Sequence, residues 1–136
     1  NANGVVITSN LYNVNHGYTI NWQYGEHSIV YPEPGILNDQ IILYTISMDE
    51  NPFNIEYLTR SNLPELQGET VLTDNELYEL GFYCTTIKNH YFNHVATDIS
   101  CGYESFSVDI EFKIDSTVAP RKIYLKQARI YKASER

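Results

Sequence analysis

The sequence predicts an all-β fold, an antiparallel β-sandwich or jelly roll with one short helical turn near residues 74–80. Three observations favour it. The chain has 12 Tyr and 5 Phe but only 19% charged residues, and aromatic residues prefer strands. Gly, Pro, Asn or Asp separate most of the short apolar segments, as in sandwiches. One segment alternates apolar and polar residues. At 136 residues, the chain fits one sandwich domain, residues 1–136.

Short strands are predicted throughout the first half of the chain. Turns such as YPEPG and NLPELQG separate them, because Pro fixes φ and Gly admits positive φ. Strands at this spacing favour a sandwich or jelly roll over βαβ units. The candidate segments are GVVIT (4–8), GYTINWQY (17–24), HSIVY (27–31), QIILYTIS (40–47), FNIEYL (53–58) and ETVL (69–72).

A helical turn is predicted within TDNELYELG. Thr73 and Glu76 have the spacing of a capping box, in which each side chain bonds the other residue's backbone amide. Gly81 is a common helix stop. The helix is therefore expected to end near residue 80.

A hairpin is predicted at the carboxyl end of the chain. Apolar residues occupy every second position from 106 to 114, as in a strand with one buried and one solvated face. In the following RKIYLKQARIYK segment, Ile123 and Leu125 share a face, whereas Ala128 and Ile130 are out of phase with them. This shift predicts a β-bulge near Gln127.

The net charge of −8 is unevenly distributed. No Lys or Arg precedes Arg60, whereas residues 121–136 contain six. The acidic body argues against nucleic acid, which requires a broad basic surface. It is compatible with a basic protein partner, a neutral sugar or calcium. The hairpin places Lys122 and Lys126 near Asp109 and Glu111, which accounts for the basic end without a ligand.

The two cysteines, Cys84 and Cys101, are predicted to form a structural disulfide. They do not form a CxxC motif, and their distance from the histidines does not fit a zinc site. Closing a loop of this length stabilises a fold by about 3 kcal/mol in the chain-entropy model. In a reducing compartment the pair would instead be two buried thiols.

If the disulfide joins Cys84 and Cys101 across two antiparallel strands, NHYFNH lies at the apex of a loop, midway between the cysteines. Tyr91 and Phe92 are then predicted to stack on or dock a ligand, with His90, Asn93 and His94 as hydrogen-bonding neighbours. The alternative is that both aromatic rings pack back against the core. On an extended strand the two histidines lie more than ~13 Å apart, so no metal site is predicted.

Trp22 and Tyr24 form a second, weaker candidate surface. They share a face of a regular strand, and aromatic rings stack on the apolar faces of sugars. Asn21 and Gln23 could bond sugar hydroxyls. The alternative is a core tryptophan.

No cofactor is predicted, but one segment offers candidate ligands for calcium. Asp49, Glu50 and Asn51 offer oxygen ligands of the kind calcium prefers. The spacing is not that of an EF-hand, so a solvated turn is the alternative.

The sequence does not indicate an enzyme, because the G-x-S-x-G, HExxH and Walker patterns are absent. The leading hypothesis is a secreted or periplasmic carbohydrate-binding module, lectin-like or adhesin-like. The first alternative is an acidic periplasmic inhibitor or immunity protein that blocks a basic enzyme or toxin. The second is a pilus or surface-assembly subunit.

Two further observations bear on where the protein is found. No apolar run reaches the ~20 residues of a transmembrane helix. The 13 asparagines include no N-x-S/T sequon, which favours a bacterial source. Oligomeric state is not predicted.

Overall fold

The computed structural model describes residues 1–9, 16–25, 28–29, 31–45, 53–95, 102–103 and 106–131. Within these residues the protein is mainly β, as predicted, with one long helix. Helix α1 spans Asp74–His90 and continues as a π-helical turn, Tyr91–Val95. The six strands are β1 (Ala2–Ile7), β2 (Gly17–Tyr24), β3 (Asp39–Tyr44), β4 (Asn54–Thr59), β5 (Val108–Asp115) and β6 (Lys122–Ile130).

All six described strands belong to one antiparallel sheet, in the order β4-β3-β2-β1-β5-β6. The first four strands form a meander. Helix α1 then carries the chain back, so that β5 pairs with the free edge of β1. A sandwich requires two packed sheets, so the predicted sandwich or jelly roll is not confirmed.

The core lies between the sheet and α1. One row of cross-strand neighbours consists of Ile41, Ile20, Val6 and Ile110, all fully buried. Leu77 and other residues of α1 belong to the same apolar cluster. Burial of aliphatic side chains from both layers stabilises the fold by roughly 1.5–3 kcal/mol per side chain.

Helix α1 begins as predicted but does not end at Gly81. Thr73 Oγ1 accepts a hydrogen bond from the amide of Glu76 at 3.1 Å, and Glu76 Oε1 accepts one from the amide of Thr73 at 3.0 Å. A Cβ atom on Gly81 would lie 2.7 Å from Leu43 Cδ2 and 2.9 Å from Phe53 Cζ. This glycine therefore lets the helix approach the sheet closely, and the predicted short helical turn is wrong.

Three contacts show that α1 crosses the strands. Gly81 lies over Leu43 of β3, and the hydroxyls of Thr85 and Tyr18 in β2 are 2.6 Å apart. Further along, the Tyr91 hydroxyl donates to the Ala128 carbonyl of β6 at 3.1 Å. The helix thereby ties both halves of the sheet together.

The predicted bulge in β6 is confirmed. Glu111 pairs with Gln127 and Phe112 with Leu125, which leaves Lys126 as the extra residue. The bulge restores the phase of the apolar residues on either side of it.

Of the predicted ion-pair partners in this hairpin, Lys126 lies at the bulge beside Glu111, as expected, but the predicted position of Lys122 near Asp109 and Glu111 is wrong. Lys122 lies opposite Asp115, and Asp109 lies opposite Arg129. Arg129 Nη2 is 3.3 Å from Asp109 Oδ2. The connection between the two strands comprises only residues 116–121, so Lys122 begins β6 opposite the end of β5 and lies away from Asp109.

Two other predicted strands differ from the structure. ETVL is not a strand, and the described residues of HSIVY are not in one. His27 and Val30 lie outside the described residues. Among the helices that the structure describes, none is long and apolar enough to cross a membrane.

Candidate binding face of the helix

Helix α1 has a buried side and an exposed side. Leu77, Leu80 and Cys84 are buried against the sheet. The residues on the opposite side are mostly spaced three or four apart, as on one face of a helix. We call it the exposed helix face; its exposed residues are Glu79, Phe82, Tyr83, Thr86, His90 and His94.

An aromatic pair lies in the middle of this face. The side chain of Phe82 is 53% exposed, and that of Tyr83 is 39% exposed. The Phe82 ring packs edge-on against Phe53, with 5.0 Å between ring centroids. The Tyr83 hydroxyl donates a hydrogen bond to Glu79, which raises the pKa of Tyr83 because the carboxylate favours the protonated phenol. Both rings therefore have neighbours that restrict their orientation.

The predicted stacking residues Tyr91 and Phe92 pack back against the molecule. Both are half-buried, and the Tyr91 hydroxyl donates a hydrogen bond to the Ala128 carbonyl. The Phe92 ring lies edge-on against Tyr103 and Phe106, at centroid distances of 5.3 and 5.5 Å. This arrangement corresponds to the core-packing alternative.

The three polar residues beside them, His90, Asn93 and His94, are exposed. The expected loop apex is wrong, because residues 90–95 are helical. The helix brings His90 and His94 together, with 5.3 Å between ring centroids. Their predicted separation therefore does not hold.

Cys84 is a free, buried thiol. It lies on the sheet-facing side of α1, and burial raises the pKa of the thiol well above its usual value. The antiparallel strand geometry assumed for a disulfide is absent at Cys84, which is helical. The other predicted partner, Cys101, lies outside the described residues.

Trp22 is a core residue. Its side chain is fully buried, Nε1 donates to Thr70 Oγ1 at 3.2 Å, and the ring lies edge-on to Tyr57. Tyr24, at the end of β2, is 40% exposed. The two residues therefore do not form one exposed surface.

A buried polar network surrounds Asp39 at the start of β3. Its Oδ1 accepts from the Ser61 amide at 2.9 Å, and its Oδ2 accepts from Thr70 Oγ1 at 3.5 Å. Ser61 Oγ also donates to the buried Gln23 at 2.8 Å. Burial raises the pKa of Asp39, although the Ser61 hydrogen bond and the charge of Arg60 oppose the shift. The network joins β2 and β3 to the segment after β4.

The described residues contain no group of three or more His, Cys, Asp or Glu side chains arranged to hold a metal ion. Asp49, Glu50 and Asn51, the predicted calcium ligands, lie outside them.

Comparison with protein-family models, curated proteins and solved structures finds no match to this chain.

Sequence reasoning missed Phe82 and Tyr83 as exposed residues. A helical spacing could have identified them, because Leu77, Leu80, Cys84, Ile87 and Tyr91 recur every three or four residues. That pattern predicts one helix through Gly81 with Phe82 and Tyr83 on its other side.

Proposed function

We propose that the protein is a non-catalytic binding module that docks a basic protein partner on the exposed helix face. The observation that carries the proposal is the half-exposed Phe82 on the same helix face as the exposed Glu79. The proposal corresponds to the first alternative of the sequence analysis, an acidic inhibitor or immunity protein that blocks a basic partner.

The aromatic pair supplies an apolar anchor. Large aromatic residues that enter a partner's pocket often provide most of the binding energy of an interface. Because Phe53 and Glu79 already restrict Phe82 and Tyr83, less side-chain entropy is lost on binding.

The charges favour a basic partner. Residues 1–120 contain 16 Asp and Glu against three Lys and Arg. On α1, Asp74 and Glu79 are exposed, whereas Lys88 is buried with its ammonium 4.2 Å from the Tyr103 ring centroid. An acidic surface accelerates encounter with a basic protein.

The other hypotheses have less support. Carbohydrate binding stays a prediction. It has less support because Trp22 is buried and because Tyr91 and Phe92 pack against the rest of the molecule. Strand exchange in a surface assembly also stays a prediction. The described chain places no strand beside the outer edge of β6, but Lys122 and Lys126 lie on that strand, and edge lysines oppose strand addition. A secreted, periplasmic or bacterial origin likewise stays a prediction.

Selection from a random peptide display library tests the proposal, because it samples many combinations of charged and apolar residues at once. We expect the wild type to enrich peptides that combine Lys or Arg with an apolar residue. Binding of a synthesised hit should weaken roughly tenfold between low and moderate salt, because the charges are exposed.

Phe82→Ala should abolish enrichment of these peptides. Tyr31→Ala is the control, because Tyr31 is 84% exposed and lies outside α1. Enrichment without a charge bias, or equal enrichment by Phe82→Ala, would show the proposal to be wrong. A salt-resistant hit on a glycan array that Phe82→Ala does not affect would favour carbohydrate binding instead.

A further inference from the structure

The geometry points to a surface binding site for a divalent transition-metal ion, Zn²⁺ above all, formed by His90 and His94. This inference does not depend on the proposed partner. It rests on the distance between the two rings, their exposure and the helical backbone that carries them.

The ring separation fits shared coordination of one ion. With a metal–nitrogen bond of about 2.1 Å, an imidazole ring centre lies roughly 3.2 Å from the ion, so two imidazoles at a tetrahedral angle have centres about 5.2 Å apart. The centroids of His90 and His94 are 5.3 Å apart. The planes are tilted by 41°, so the rings are not stacked face to face.

The backbone holds the pair in this arrangement. His90 is the last residue of α1, and His94 lies in the π-helical turn that follows. Residues four apart on a helix are neighbours on its surface, and short π-helical turns are frequent at functional sites. Tyr91 and Phe92, between the histidines, pack against Ala128, Tyr103 and Phe106. These contacts anchor the segment while both imidazoles face solvent.

The coordination chemistry selects the ion. Imidazole nitrogen is a good ligand for Zn²⁺, Cu²⁺ and Ni²⁺ and a poor one for Ca²⁺ and Mg²⁺, which prefer oxygen. Within the part of the chain that the structure describes, no group of three potential ligands is present, so His90 and His94 are the two described residues that would hold the ion.

Isothermal titration of the metal-free full chain with ZnCl₂ tests the site. We expect saturable binding that His90→Asn and His94→Asn each weaken at least tenfold, because a single imidazole cannot chelate. His16→Asn is the matched control: His16 lies next to β2 and has a φ of 62°, a conformation that Asn tolerates. This control should bind Zn²⁺ as the wild type does.

Gel filtration with Zn²⁺ distinguishes one chain per ion from two chains sharing it; either stoichiometry supports the site if it is lost in both histidine variants. Absence of saturable Zn²⁺ binding by the wild type, or unchanged binding in the two variants, would overturn the inference. Circular dichroism confirms that the variants are folded.

Peptide enrichment by the exposed helix face is measured separately in the presence of a chelator, so failure of one proposal is distinguishable from failure of the other.

Discussion

Individual residues show how far burial changes side-chain chemistry in this protein. Cys84 is an ordinary cysteine in the sequence, but within α1 it is fully buried and its pKa is raised. Since the thiolate is the reactive form, both burial and the raised pKa suppress its reactivity.

We therefore predict that Cys84 does not react with iodoacetamide in the native protein. After unfolding without a reductant, it should be alkylated quantitatively, because it is a free thiol. Mass spectrometry of the peptide containing Cys84 makes the measurement. If the unfolded chain had to be reduced before it could be alkylated, a disulfide at Cys84 would be established and the free thiol refuted.

Asp39 illustrates the same effect for a carboxyl group. Burial raises its pKa in the folded protein above the unfolded value of about 3.9. The contribution of the Asp39 carboxyl group to the free energy of unfolding is therefore fully present below the unfolded pKa. It is lost as the pH rises through the folded pKa.

Asp39→Asn should remove this pH dependence. We expect the unfolding free energy of the wild type, relative to the variant, to fall as the pH rises from about 4 towards neutrality. Urea denaturation at several pH values measures the difference.

Asp115→Asn is a control of opposite sign. Hydrogen bonds from the Thr117 hydroxyl and amide lower the pKa of Asp115. The wild type should therefore gain stability relative to this variant as the pH rises through that group's folded and then unfolded pKa. A pH-independent difference for Asp39→Asn would contradict the assigned effect of burial.

At the scale of elements, β1 is shaped by its two neighbours. Gly4 lies between Trp22 of β2 and Phe112 of β5 on the helix-covered face. A Cβ atom at this position would lie 2.5 Å from the backbone oxygen of Asn21. Because a backbone oxygen of the central sheet moves little, residue 4 has room only for glycine.

Gly4→Ala should destabilise the protein by about 1–3 kcal/mol, as overpacking of a core does. Chemical denaturation should show a lower midpoint with an unchanged slope. An unchanged midpoint would mean that the sheet adjusts around the extra methyl group.

The elements that the sequence predicts are those governed by neighbouring residues. Strand β2 matches its predicted segment at both ends, and the capping box at Thr73 and the bulge beside Gln127 follow from local spacing. The end of α1 does not follow, because Gly81 is a local stop signal whose role here is contact with Leu43 and Phe53. Those partners come from distant parts of the chain.

The candidate site is predictable in part. The sequence identifies the segment around Tyr91, but as a loop, because a disulfide between the cysteines implies one. That interpretation places Cys84 on a strand and separates His90 from His94. The helical backbone reverses both consequences.

At the scale of the whole molecule, the sheet order could not be predicted from local pattern. Its decisive pairing joins β1 to β5, and a hydrogen bond next to this pairing links Thr8 to Val108, 100 residues away. Many partners for β1 satisfy the same alternation of apolar residues, so alternation alone does not select one.

The central position of β1 sets the order in which a growing chain can complete its sheet. This strand emerges from the ribosome before β2, β3 and β4, yet its second neighbour, β5, is about a hundred residues further on. At 5–20 residues per second, translation leaves that edge of β1 open for roughly 5–20 s. The edge of β1 that lies inside the finished sheet is thus exposed in the nascent chain.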